Sequence, residues 1–274
     1  MNLRGKIALL LLAGVALLAH TAAVRAQSVE VFAAGSLRGV VGELTQRAAA
    51  AYHIEVKATF GASGLLRQRI EQGEAPDLFL SADLSAPRRL AVQGRTVAPV
   101  IAFAGNRMCI VSRRSAALTQ RNLIERLLAP GVRLKTSTPV ADPAGDYAWA
   151  IFEKIEALRP GAGAALKEKS RALMALTSTP APNQSAAAAL FAARQVDLSI
   201  TYCSAAAALT QEVPGLASLE VPPRLDPHPV DGLAVLSLKP EALQVALLLL
   251  SEEGQALIAA NGLVPVADLG SAGR

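Results

Sequence analysis

The feature that most constrains this chain is a repeated junction: an apolar strand-like run, then a small hydroxyl or carboxylate residue, then a helix-like run. Residues 28–34 read as an apolar strand. Ser36 opens a segment in which Leu37, Val40, Val41, Leu44 and Ala48 share one helical face. Ile54, Val56, Ala58 and Phe60 then alternate with Glu55, Lys57 and Thr59, the period of a half-buried strand. Ser63 opens a second helix carrying Leu65, Leu66 and Ile70, stopped by Gly73. A third strand is expected over 77–82, with Asp83 as a candidate N-cap for the helix after it. Three such units within the first 94 residues predict an α/β fold. Open parallel sheets bind ligands at the carboxyl ends of their strands, where helix N-termini gather.

The rest of the chain predicts a second lobe. Gly105-Asn106 separates apolar runs at 97–103 and 108–111, a natural crossing point. Beyond it we expect a strand over 132–136, helices from about Ala144, over 164–176 and over 186–193, and a strand over 198–202. The Pro-rich stretch 221–229 reads as a return connection, followed by a strand at 230–237 and a helix starting near Pro240. The expected division is residues 28–103 plus 227–274 in lobe one and 104–226 in lobe two. The alanine runs 186–189 and 205–208 read as helix.

Residues 1–26 read as a cleaved secretory signal peptide. Arg4 and Lys6 precede an apolar run from Ile7 to Ala19, and Val24-Arg25-Ala26 fits the small-x-small cleavage pattern. The run is short for a membrane span of about 20 residues. Removing the segment takes away Arg4, Lys6 and Arg25 and no acids, so the formal charge falls from +5 to +2. A basic reading for nucleic acid largely disappears with it, and 4% aromatic residues argue against base or sugar stacking. Of three histidines, His53 and His228 remain, too few with two cysteines for most His- or Cys-ligated metal sites. Cys109 and Cys203 would reach an oxidising compartment, where they either pair or stay as buried thiols.

Each candidate motif has a bland alternative. Gly61-Ala62-Ser63-Gly64 invites a serine-hydrolase reading, but position 65 is Leu where a nucleophile elbow needs Gly, and no histidine is well placed as base. Gly161-Ala162-Gly163 lacks both the third glycine and the preceding strand of a dinucleotide fingerprint, and reads as a loop. Ser36 and Ser63 taken singly are ordinary helix caps. Together, at adjacent strand ends, they would place two hydroxyls and two sets of free N–H groups at one spot, a neutral anion site. Pro143-Ala144-Gly145 stands at another strand-to-helix junction, where small residues let backbone N–H groups approach a ligand. Tyr202 ends a strand, as a half-buried strand tyrosine or as a directed O–H donor. Arg38 and Arg67, in the first turns of the two key helices, offer an alternative: a clamp for sulfate, phosphate or a carboxylate.

At these residues the sequence resembles the molybdate-binding periplasmic proteins, the solute receptors of molybdate ABC transporters. The matching words are Val31-Phe32-Ala33-Ala34-Gly35-Ser36-Leu37, Phe60-Gly61-Ala62-Ser63-Gly64-Leu65 and Ala75-Pro76-Asp77-Leu78-Phe79-Leu80-Ser81-Ala82-Asp83. Weaker matches are Asp142-Pro143-Ala144-Gly145 with Tyr147, Ile200-Thr201-Tyr202, and Glu253-Gly254-Gln255-Ala256. The resemblance implies a type II periplasmic binding protein fold, with two lobes, each a mainly parallel sheet flanked by helices, and the ligand in the cleft between them. It implies a monomeric, non-enzymatic periplasmic receptor with no cofactor, delivering molybdate or tungstate to an ABC permease. Its ligand contacts would fall on Ser36, Ser63, Ala144, Gln184 and Tyr202, with Ala62 or Ser63 supplying a backbone donor. Gln184 is reached by counting back from Tyr202, so Asn183 or Ser185 could serve instead. Asp146 would repel a dianion, so its side chain should point away. Cys203 stands where the family usually has a small residue.

Overall fold

The computed structural model describes residues 27–182 and 184–270. The expected signal peptide and Asn183 lie outside these residues. The first sheet has the order β10-β4-β9-β3-β1-β2. Its strands are β1 (Gln27–Ala34), β2 (Ile54–Gly61), β3 (Leu78–Ser81), β4 (Ile101–Gly105), β9 (Val230–Val235) and β10 (Val264–Pro265). β1 runs parallel to β2 and β3, while β9 lies antiparallel to β3 and β4. The second sheet has the order β6-β7-β5-β8. It comprises β5 (Met108–Arg113), β6 (Leu134–Lys135), β7 (Leu198–Tyr202) and β8 (Leu216–Glu220), with β5 antiparallel to both β7 and β8.

Both faces of the first sheet are covered, which is why β1 reads as a continuous apolar run. Val29, Val31 and Ala33 face the cluster that holds α1 (Arg38–Tyr52) and α9 (Pro240–Leu250). Phe32 faces the cluster of α2 (Ser63–Glu71) and α3 (Ser85–Val92). α1 buries Val40, Val41, Leu44 and Ala48, the predicted stripe, and ends at His53, whose φ of 55° is left-handed. Full burial of each such valine or leucine contributes about 1.5–3 kcal/mol.

On one face of the second sheet α5 (Pro143–Leu158) buries Ala148, Ile151, Phe152 and Ile155. α7 (Ala186–Ala192) and α8 (Cys203–Glu212) cover the other face. α4 (Leu123–Leu128) and α6 (Ala162–Met174) complete this half, and α10 (Glu252–Ala260) follows α9 in the first. Several short elements escape sequence reading. β8 lacks a run of β-branched residues, and α4 spans only six residues. Among the described residues no single helix is long and apolar enough to cross a membrane.

The chain passes between the sheets twice, and the two crossings are tied together. Buried Asn106 donates its backbone N–H to Pro229 O at 2.9 Å and its side-chain amide to Ser204 Oγ at 2.9 Å. Buried Asp226 accepts from the backbone of Met108 at 3.1 Å and of His228 at 2.8 Å. These bonds fix where each strand leaves one sheet for the other.

Cys109 on β5 and Cys203, the first residue of α8, form a disulfide that closes a separation of 94 residues. This accounts for a cysteine directly after Tyr202: the bond anchors the β7–α8 junction to β5. Replacing both cysteines by alanine should lower the unfolding free energy by about 2–5 kcal/mol. Denaturant melts of the two proteins check this, and coincident midpoints would show that the bond constrains nothing.

Candidate functional site

The register of β1 on β2 brings the first two candidates together. Ala34 pairs with Gly61 at the carboxyl ends of the parallel strands, and Ser36 and Ser63 each lie two residues further on. Ser36 sits in a single 3-10 turn, Gly35–Leu37, and Ser63 is the first residue of α2. Both line a cavity of about 150 Å³ together with Ala82, which follows β3. The opposite wall comes from the second sheet: Ser137, Asp142 and Ala144 around the start of α5, and Tyr202 at the end of β7.

Neither serine caps its helix. The Ser63 hydroxyl oxygen instead accepts the Ala82 N–H at 3.1 Å, and Ser63 is buried. A hydroxyl oxygen that accepts keeps its own hydrogen to donate. Ser36 Oγ is sealed from water and has no hydrogen-bond partner. Leaving such a group unsatisfied costs about 1–3 kcal/mol. The first N–H groups of α2 likewise have no acceptor within the helix.

Ala144 lines the cavity, but its N–H is taken by the Asp142 carboxylate at 3.1 Å, which caps α5. Tyr202 also lines it, and its hydroxyl donates across to the Ala82 carbonyl at 3.0 Å. Burial first, then the charges of Asp231, Tyr147, Asp142 and Asp83, push this phenol well above its ordinary value, so it stays a protonated donor. Gln184 does not line the cavity. Its N–H donates to Ala181 O at 3.0 Å and its side-chain oxygen accepts from Ala181 N at 3.2 Å. Ser185 caps α7 through the Ala188 N–H. Asp146 turns to the Val140 N–H at 3.0 Å and lies off the cavity wall.

The arginines are engaged elsewhere. Arg38 stacks over the Phe60 ring at 4.2 Å, and buried Arg67 pairs with Glu71. Neither lines the cavity, nor does His53 or His228. Ser63 therefore has no histidine base in the cavity wall.

Some residues in and around the cavity carried no site signal in the sequence. Ala82 carries no functional side chain, yet its N–H meets Ser63 and its carbonyl meets Tyr202. Gly64 lies where the two halves touch: a Cβ there would come within 2.1 Å of Val140 O and 2.7 Å of Ala141 O. Asp231, on β9, is wholly buried with no partner for either carboxylate oxygen. Its carboxyl is pushed well above the usual range, by burial and then by Asp83.

A family model described as bacterial extracellular solute-binding protein matches residues 29–264. A protein of Pasteurella multocida (strain Pm70), described as uncharacterized protein PM1146, is 39% identical over 177 residues, which cover 64% of this chain and 73% of that one. Two solved structures share the fold. The periplasmic molybdate-binding protein of Azotobacter vinelandii aligns with a TM-score of 0.67 at 20% identity, covering 86% of this chain and 98% of that one. The sulfate-binding protein SubI of Mycobacterium tuberculosis H37Rv aligns with a TM-score of 0.72 at 18% identity, covering 90% and 89%.

Two substitutions test the contact between the halves. Gly64→Ala should leave the melting temperature of the unliganded protein within a few degrees while enlarging its radius of gyration in small-angle scattering, because the methyl group cannot enter against Val140 O. An unchanged radius would show that the halves do not need this approach. Tyr202→Phe removes one hydrogen bond between the halves, worth about 0.5–1.5 kcal/mol, and should expand the scattering profile in the same direction. A profile identical to the parent would deny the hydroxyl that role.

Proposed function

The chain belongs to the bacterial extracellular solute-binding proteins, and from that premise we propose that it captures one small tetrahedral oxyanion in the cavity between its two lobes. The family implies a periplasmic location and an ABC permease as partner. Residues 1–26 would serve as the export signal, and the closed, loaded form would be what the permease reads.

The observation that carries the proposal is the Ser36 hydroxyl, sealed from water and unpartnered, on the wall of the same cavity as Ser63. Turned toward the cavity, this hydroxyl would be satisfied by a ligand oxygen, which would also receive the Ser63 hydrogen and the first N–H groups of α2. Helix N-termini supply partial positive charge without a lysine or arginine. The cavity, about 150 Å³, has room for one four-oxygen anion. Molybdate and tungstate enter this reading from the resemblance of the sequence words. Tetrahedral oxyanions as a class are what the geometry supports.

A neutral donor set at this density can hold a small anion. Hydrogen bonds to a charged acceptor contribute about 1.5–3 kcal/mol each, and ordering and closure offset part of the sum. Capture follows if the closed state binds the anion better than the open one, since only differential affinity shifts the balance.

Isothermal titration of the mature chain with molybdate, tungstate, sulfate, phosphate and chromate should reveal at least one anion bound in the micromolar range or tighter. Ser36→Ala and Ser63→Ala should each weaken that anion by about 10- to 100-fold, the first with little loss of melting temperature and the second with a drop in it, because the buried Ala82 N–H loses its acceptor. If both variants bind as the parent does, the serines are structural and the reading is wrong.

A further inference from the structure

Among the residues that line the cavity one is charged, and it is an acid. Asp142 lines the same space as Ser36, Ser63 and Tyr202, and no lysine, arginine or histidine lines it. One carboxylate oxygen, Oδ1, takes the Ala144 N–H at 3.1 Å. A carboxylate accepts through two oxygens, so lone pairs remain beyond this bond. The base that feels Asp142, Lys135 on β6, directs its ammonium to the carbonyls of Met174 at 2.8 Å and Thr136 at 3.4 Å. Asp83 and Asp231 lie off the cavity wall, near enough to act on the buried Tyr202 phenol.

This arrangement treats two anions of the same shape differently. A bare oxygen of sulfate, molybdate or tungstate placed against Asp142 sets lone pair against lone pair. An oxygen that still carries hydrogen donates to the carboxylate instead, as a short charge-assisted bond of about 2.5–2.7 Å. The serine hydroxyls and helix N–H groups cannot make this distinction, because they donate equally well to any ligand oxygen.

We propose that Asp142 is a specificity-determining residue of this cavity, selecting an oxyanion that retains a hydrogen at neutral pH, of the inorganic phosphate and arsenate class, over bare dianions of similar size. The inference rests on the oxyanion reading of the cavity and names the ligand class within it. It demotes molybdate and tungstate relative to the expectation from sequence resemblance.

The alternative is that Asp142 merely caps α5. Asp142→Asn separates the two, because asparagine caps a helix as well as aspartate does but carries no charge and offers N–H donors. The mature protein and this variant are titrated at pH 7 and low salt with phosphate, arsenate, sulfate and molybdate, with melting temperature as the check on folding. The parent should prefer phosphate and arsenate over sulfate and molybdate by about 100-fold or more, since a site built around a ligand O–H rejects the analogue that lacks it. In Asp142→Asn that preference should fall at least tenfold, with sulfate and molybdate gaining affinity. Asp142→Ser, a shorter neutral cap, should move the ratio the same way, and it supplies the measurement if the asparagine variant folds poorly. Sulfate or molybdate binding the parent as tightly as phosphate would overturn the inference, and so would a ratio unmoved in the variants. Failure of all four anions to bind the parent would overturn the oxyanion reading itself, and this inference with it.

Discussion

The backbone of Ala82 is the point on which the cavity depends. Its N–H is held by the Ser63 hydroxyl and its carbonyl by the Tyr202 hydroxyl, so one residue after β3 links the start of α2 to the end of β7. The N-cap position of α2 is Ala62, so the first-turn N–H groups of that helix have no side-chain cap. The Tyr202 bond sets the distance between the two sheets at this spot. Gly64 permits it, because its missing Cβ leaves room for the carbonyls of Val140 and Ala141. The disulfide from Cys203 to Cys109 then secures the residue next to Tyr202 against β5. Shape and donor supply in the cavity are therefore consequences of the same few contacts.

The proposed anion site runs against the intuition that an anion receptor needs cations. Arg38 and Arg67 occupy the first turns of the helices that flank the site, yet one stacks on Phe60 and the other pairs with Glu71. Asp142 faces the cavity, and Asp231 lies buried close enough to raise the Tyr202 phenol. Positive character comes from helix termini alone, where aligned peptide dipoles leave N–H groups exposed. On the proposed reading, such a site would hold an anion by counting and placing hydrogens. The ligand's own hydrogens would then become part of what is recognised, which is the role proposed for the Asp142 carboxylate.

The order of strands and helices was largely legible. Helical stripes such as Val40, Val41, Leu44 and Ala48, and the alternation in residues 54–60, depend on local periodicity that burial enforces. The adjacency of Ser36 and Ser63 was also legible, because parallel strands that end in register bring their following residues together. What the serines do was not. Both read as caps in isolation, and neither caps. Gln184 was placed by counting along the chain, but turn bonding with Ala181 holds it away from the cavity wall. Asp146 is the acid beside Gly145, while the acid on the wall is Asp142, four residues earlier on the chain.

The sequence by itself determined the α/β class, the junctions where small residues stand between strand and helix, and the supply of neutral donors at those junctions. These follow from side-chain period and helix-end chemistry, which act over a few residues. Only the tertiary structure decided that Cys109 meets Cys203, that Tyr202 reaches Ala82 and that Asp142 lines the cavity. Those are meetings between segments distant along the chain. Their partners are set by how two sheets come to rest against each other, and no local pattern carries that information.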